Sequence, residues 1–273
     1  MAPPSARGLA GALRDDSVWS AALYARRGVT LYLPPGHDRT RPVPVVYVAD
    51  RENVRDYATV VDAAIAAGTL PPVALVGVWV STGAPGGGPP QGPATDLRMI
   101  EYHPGVEQLP GADSAFIVAR YRGHYRFFTD EVRQWAESAL GVSRERRGRA
   151  VQGNSSGASY ALRLGRELPD RYGLVIANSN VGADALRGPT AGWDAAPSHY
   201  LSAGSLEVPK MLRELRAVGD SLSVHRVPVV VNVYPGGHDA LVWGTSTLAA
   251  VPTSRMGCGT TTARHSPLAV PAS

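Results

Sequence analysis

The chain has 273 residues, 44% of them hydrophobic and 18% charged, which is apolar material enough for one sizeable core. A net charge of +4 is too small to argue for nucleic acid, and the lone cysteine, Cys258, excludes an internal disulfide and argues against a Cys/His metal site. No stretch approaches the roughly 18 apolar residues of a membrane span, and the N-terminus lacks the apolar core of a secretory signal, so the expectation is a cytoplasmic protein with no membrane partner.

Residues 1–15, rich in Pro, Ala and Gly, read as a flexible arm, and 251–273 as a flexible tail, leaving one domain over 16–250. "GVTLYLPPG" alternates apolar and polar residues and stops at two prolines. "VPVVYVAD" is a continuous apolar run, the pattern of a strand buried on both faces of a parallel sheet. "VRDYATVVDAAIAAG" is helical in period and ends on Gly68, a C-cap. A second buried strand, "PPVALVGVWV", opens into a Pro/Gly-rich loop. "TDEVRQWAESALG" predicts a helix capped by Thr129, with Val132, Trp135, Ala136 and Leu140 on one face. The basic run "RERRGR" at 144–149 reads as a solvated loop.

"RAVQ" is the next strand, and "SSGASYALRLGREL" the helix after it. "GLVIANS", "SHYLSAGS" and "VPVVVNVYP" are later strands, and "VPKMLRELRAVGD" is a helix between the last two. This alternation predicts an α/β fold, a mostly parallel sheet covered by helices on both faces.

Between "RAVQ" and its helix lies Gly153-Asn154-Ser155-Ser156-Gly157, a Gly-x-Ser-x-Gly pattern. In a chain with 30 glycines such a match arises by chance in roughly one sequence of four. The strand before it and the helix after it supply the context of a nucleophile elbow. There Ser155 attacks and the Ser156 N–H, at a helix N-terminus, supplies half of an oxyanion hole. A serine needs a base. Of the histidines that follow, His265 lies in the tail, and His199 and His225 precede strands, at the end of the sheet away from chemistry. His238, in the glycine-loosened loop after the last strand, is the candidate base. Glu207, just past "SHYLSAGS", is the candidate acid, with Asp184 and Asp194 as alternatives. The second oxyanion donor is expected from the backbone of Asp50 or Arg51, after the first central strand.

With these residues in place, the chain resembles the enterochelin esterase-like branch of the Putative esterase family of α/β-hydrolases. The matching segments fall within about 20–245 and include "LYLPPG", "VPVVYVAD", "GNSSGASYAL", "SAGSLE", "PGGHDALVW" and the spaced set Arg98, Glu101, Tyr102, Pro104, Gly105. The resemblance implies an α/β-hydrolase fold and a cofactor-free serine esterase, with Ser155 as nucleophile, His238 as base and Glu207 as acid. It names catecholate siderophore lactones as the branch's best-known substrates. Relatives usually carry glycine where this chain has Arg51, and the longer ones have a β-rich N-terminal domain that this sequence is not expected to contain.

The substrate pocket is expected from loop 81–104, including Arg98 and Tyr102, and from the segment around Trp193. Arg98 and Arg51 favour an anionic acyl or catechol group, unless Arg98 instead pairs with Glu101. The partner is a small-molecule ester. Acyl transfer by the same triad, and ligand binding without turnover, are the other readings.

Overall fold

The computed structural model describes residues 8–80, 97–105, 113–180, 182, 186 and 193–253. Eight strands form one sheet: β1 (Ala12–Ser20), β2 (Ala25–Leu33), β3 (Val45–Ala49), β4 (Ala74–Val78), β5 (Arg149–Asn154), β6 (Leu174–Asn178), β7 (Ser198–Gly204) and β8 (Val229–Tyr234). Their spatial order is β1-β2-β4-β3-β5-β6-β7-β8. The β1–β2 and β2–β4 pairs are antiparallel, and every pair from β4 to β8 is parallel. The parallel strands therefore end at one edge, and open α/β sheets bind ligands outside that carboxyl edge.

Side-chain alternation along β3 divides the core in two. Val45, Tyr47 and Ala49 join a cluster with Phe127, Phe128, Ala158, Leu201 and Leu215, while Val46 and Val48 join Tyr57, Val61, Ile176 and Trp243 on the other face. Helix α1 (Asn53–Ala66) lies on the second face. It buries Val54, Tyr57, Ala58 and Val61, spaced as one helical stripe, and Gly68 follows with φ +71. Burying one such valine contributes about 1.5–3 kcal/mol.

Three expectations change. The arm expected over 1–15 is strand from Ala12 onward, because Asp62 of α1 accepts the N–H groups of Ala10 (2.9 Å) and Gly11 (2.7 Å) and the Tyr32 hydroxyl (2.9 Å). A buried carboxylate thus ties the chain down before the strand begins. Second, Thr129 caps nothing. Its hydroxyl donates to Tyr125 O (2.8 Å) inside a continuous run of α3 (Ser114–Arg126), a π-helical turn (Phe127–Val132) and α4 (Arg133–Ala139). The cap is Asp113, whose side chain accepts from Ala115 N–H at 2.8 Å. Third, a helix, α7 (Ala240–Thr253), runs past the expected domain end at 250 and packs on α1. The tail beyond it lies outside the described residues.

Candidate active site

The carboxyl edge of β5 turns directly into α5 (Ser156–Glu167), and Ser155 is the residue at the turn. Its φ of +55 and ψ of −123 are strained for a side chain with a Cβ, a conformation that persists only when its surroundings enforce it. They do. Ser155 N–H donates to Asn178 O (2.9 Å), and Ser155 O accepts from Ala158 N–H (3.0 Å) and Ser159 N–H (3.3 Å). A Cβ at Gly153 would overlap the Gly157 carbonyl, and one at Gly157 would come within 3.2 Å of Ala49 Cβ and Asp50 Oδ2. Both motif glycines are therefore required by close approach, the feature that separates an elbow from a chance match.

Ser156 follows as the first residue of α5. Its hydroxyl donates to Met99 Sδ (3.4 Å), and its N–H has no hydrogen-bond partner among the described residues. An N–H at a helix N-terminus lacks an intrahelical acceptor and carries the positive end of the helix dipole, so it is suited to an anionic oxygen.

His238 and Glu207 arrive from the loops after β8 and β7. His238 Nδ1 lies 3.2 Å from Glu207 Oε2, with the glutamate side chain fully buried and the imidazole 38% exposed. The other carboxylate oxygen, Oε1, accepts from Ser179 Oγ (2.6 Å), from Gly204 N–H (2.8 Å) and from the Tyr234 hydroxyl (3.5 Å). Trp243 Nε1–H donates to the same Ser179 Oγ (3.1 Å), and the Trp243 ring meets the imidazole edge-on at 4.9 Å. The imidazole is thus oriented from behind by the carboxylate and from the side by an indole. Among the described residues Ser155 Oγ makes no hydrogen bond to His238; such bonds often tighten only with substrate present.

Beneath the elbow, polar side chains are tied together across the sheet. Asn178 Nδ2 donates to Asn154 Oδ1 (2.9 Å), Ser202 Oγ to Asn178 Oδ1 (2.7 Å), and Asn154 Nδ2 to the Tyr57 hydroxyl. Every one of these groups is buried and paired, as burial requires.

The family model described as Putative esterase matches residues 20–250. The chain belongs to the Putative esterase family. Membership makes it an ester hydrolase, and solved structures share its fold. A ferulic acid esterase is 17% identical, with 90% of this chain and 98% of that one covered at a TM-score of 0.69. The enterobactin esterase FES of Shigella flexneri is 19% identical over 88% of this chain and 58% of its own, at 0.64. The S-formylglutathione hydrolase FrmB of Staphylococcus aureus is 14% identical over 89% and 96%, at 0.62. No curated protein matches the sequence.

The esterase departs from its sequence reading on the oxyanion loop and the pocket. Asp50 has φ +64, and this left-handed turn points its N–H to the Tyr102 hydroxyl (2.9 Å), which donates back to Asp50 Oδ1 (3.0 Å). Arg51 N–H donates to Val78 O (3.3 Å). Neither expected second oxyanion donor is free. Arg51 extends its guanidinium over Gly28 and pairs loosely with Glu52 (3.5 Å).

Arg98 and Tyr102 sit on α2 (Leu97–Tyr102), packed on α5. Arg98 binds Asp50 through Nε–Oδ1 and Nη2–Oδ2, both 2.7 Å, and its guanidinium lies 5.1 Å from the Tyr102 ring centroid. Tyr102 is buried, stacked on Tyr160 at 4.9 Å. Both residues brace the Asp50 turn; Arg98 is a neutralised cation and Tyr102 a spent hydroxyl. Glu101, the other expected partner of Arg98, is buried against Arg27 (2.6 Å) and Arg120 (2.7 Å).

Trp193 is at the wrong end. It stacks on His225 (4.7 Å, 12°), which precedes β8, and lies under Arg166 near the end of α5 (4.4 Å). Asp194 shares its short 3-10 turn, and Asp184 and most of the loop at 81–104 lie outside the described residues. Among the described residues no group of three or more His, Cys, Asp and Glu is placed to hold a metal ion, and no helix is long and apolar enough to cross a membrane. Ser179 and Trp243 carry no sequence signal of their roles beyond the position of Trp243 in "PGGHDALVW".

Proposed function

We propose that the esterase cleaves its substrates through a Ser155–His238–Glu207 triad and an acyl-enzyme. The observation that carries this reading is the His238 Nδ1–Glu207 Oε2 contact, from two loops at the same sheet edge as the left-handed Ser155. Glu207 holds the proton on Nδ1, which leaves Nε2 as the base. Ser155 Oγ bonds to the ester carbonyl carbon as His238 Nε2 takes its proton, and Ser156 N–H stabilises the oxyanion. Protonated His238 then gives that proton to the departing alkoxide as the C–O bond breaks. Water, deprotonated by His238, attacks the acyl-enzyme and releases the acid and free Ser155.

The substrates we infer are aryl or lactone esters. Similar structures include a ferulic acid esterase solved with ferulic acid and FES solved in the presence of enterobactin. A fluorophosphonate probe, mapped by peptide mass, tests the nucleophile. The expected adduct is on Ser155, and nitrophenyl acetate hydrolysis is expected to be lost in Ser155→Ala. Labelling elsewhere, or full activity in that variant, overturns the assignment. Turnover only with an added acceptor alcohol favours acyl transfer, and no labelling at all favours ligand binding.

A further inference from the structure

Asn180 differs from the other buried amides around it. It is fully buried, yet neither its Oδ1 nor its Nδ2 has a hydrogen-bond partner among the described residues. Its neighbours Asn154 and Asn178, equally buried, are satisfied by each other, Tyr57 and Ser202. The region therefore pairs its polar groups carefully, and a carboxamide without partners there loses its hydration and receives nothing in return.

Its place in the chain is at the chemistry. Asn180 lies two residues beyond Asn178, whose carbonyl accepts Ser155 N–H, and one beyond Ser179, whose hydroxyl holds Glu207. Ser179 has φ +56 and donates its N–H to Ser202 O (2.7 Å), which fixes the turn that delivers Asn180 to the carboxyl edge of β6. Nucleophile strand and acid strand flank it on either side.

We propose that Asn180 is a specificity residue of this site, supplying a donor and an acceptor to a neutral hydroxyl, phenol or amide group of the bound ester. An anion is the poorer fit, because Ser179, the residue before Asn180, holds the buried Glu207 carboxylate, and Arg98 is neutralised by Asp50. A site built to pair a substrate hydroxyl discriminates strongly against the analogue that lacks it, since its own polar group is then left unpaired. The proposal rests on the esterase reading of Ser155.

The test uses matched nitrophenyl esters whose acyl groups carry or lack a hydroxyl, with wild type, Asn180→Leu and Ser155→Ala. Leucine keeps the side chain's size and removes its polarity. The wild type is expected to prefer the hydroxylated member of at least one pair by tenfold or more in kcat/KM. Asn180→Leu is expected to erase that preference, to keep the rate on the unhydroxylated member within threefold, and to melt no lower than the wild type. Absence of any hydroxyl preference in the wild type, or its survival in Asn180→Leu, overturns the proposal. So does a lowered melting temperature with both rates falling together, which is the signature of a structural amide. Loss of activity in Ser155→Ala is read separately, so failure of the nucleophile assignment is distinguishable from failure of the Asn180 proposal.

Discussion

Glu207 divides its carboxylate between two tasks: Oε2 meets His238 Nδ1 at 3.2 Å, while Oε1 accepts from Ser179 Oγ and Gly204 N–H at 2.6 and 2.8 Å. One oxygen orients the imidazole and the other is clamped by the scaffold, so the ring's direction is set by β7 and the turn after β6. Glu207→Gln keeps the size but puts an amide where the acceptor for Nδ1–H, or for the clamp, must be. The expected result is a fall in kcat of about 10²–10⁴ with KM within severalfold, as loss of the correct tautomer produces in other triads. Steady-state kinetics on nitrophenyl acetate checks it, and a fall below tenfold would show that Glu207 is not the orienting acid.

Ser155 stores strain for the sake of its position. Replacing it with glycine, which adopts φ +55 freely, is expected to raise stability by about 1 kcal/mol while abolishing esterase activity. Ser155→Ala removes the hydroxyl but keeps the Cβ, so it loses activity without that gain. Urea unfolding of the two variants side by side separates the strain from the hydroxyl. Equal stabilities would show that the elbow costs the fold nothing.

Arg98 tests the correction to the substrate pocket. A cation that recognised an anionic acyl group would, when removed, raise KM for charged esters alone. A brace on the Asp50 turn, reached through two 2.7 Å bonds, acts on every substrate alike. Arg98→Met is therefore expected to lower kcat/KM about tenfold or more on neutral and anionic esters equally, because the Asp50 turn abuts Gly157 beside Ser155 and its displacement misplaces the nucleophile. A selective loss on anionic esters would restore the recognition role.

What the sequence revealed of this site follows from which contacts are local. β3 and β6 are mostly apolar runs that begin just after Pro44 and Gly173, and the Gly-x-Ser-x-Gly context lies within one strand–turn–helix unit. The meeting of His238 with Glu207 is legible because chain order along a parallel sheet dictates which loops reach its carboxyl edge. The Tyr102–Asp50 exchange joins residues 52 apart and depends on a left-handed aspartate that "VAD" does not announce. Trp193 was misplaced although topology forbids the site: a parallel β6–β7 connection must return to the amino edge before Ser198, and Trp193 lies shortly before that entry. Asn180, just after β6, has not yet left the carboxyl edge.

Glu101 anchors the helix that carries Arg98 and Tyr102. Its buried carboxylate accepts from Arg27 Nη2 at 2.6 and 2.8 Å and from Arg120 Nε at 2.7 Å. Glu101→Ala leaves the Arg27 guanidinium, 3% exposed, without its counter-charge. Breaking a buried pair on one side costs about 3–5 kcal/mol, so this variant is expected to unfold at markedly lower urea than the wild type. An unchanged midpoint would mean that water or another group reaches Arg27.

The buried histidines set the acid limit of the fold. Burial lowers His199 and His124 to about 4; for His124 the nearby Glu101 works against that burial and does not overcome it. Both are neutral in the folded protein at pH 5–6.5, whereas in the unfolded chain they protonate near pH 6.5. The unfolded state therefore binds more protons throughout that interval, and stability falls as pH drops from about 6.5 toward 4. The slope reaches about 1.4 kcal/mol per pH unit for each such histidine. Few carboxylates titrate between pH 6.5 and 5, so melting temperatures measured there report the histidines. The wild type is expected to lose melting temperature steadily across that range, and His199→Gln to show a shallower loss. A flat profile in the wild type would show that both rings admit a proton while folded.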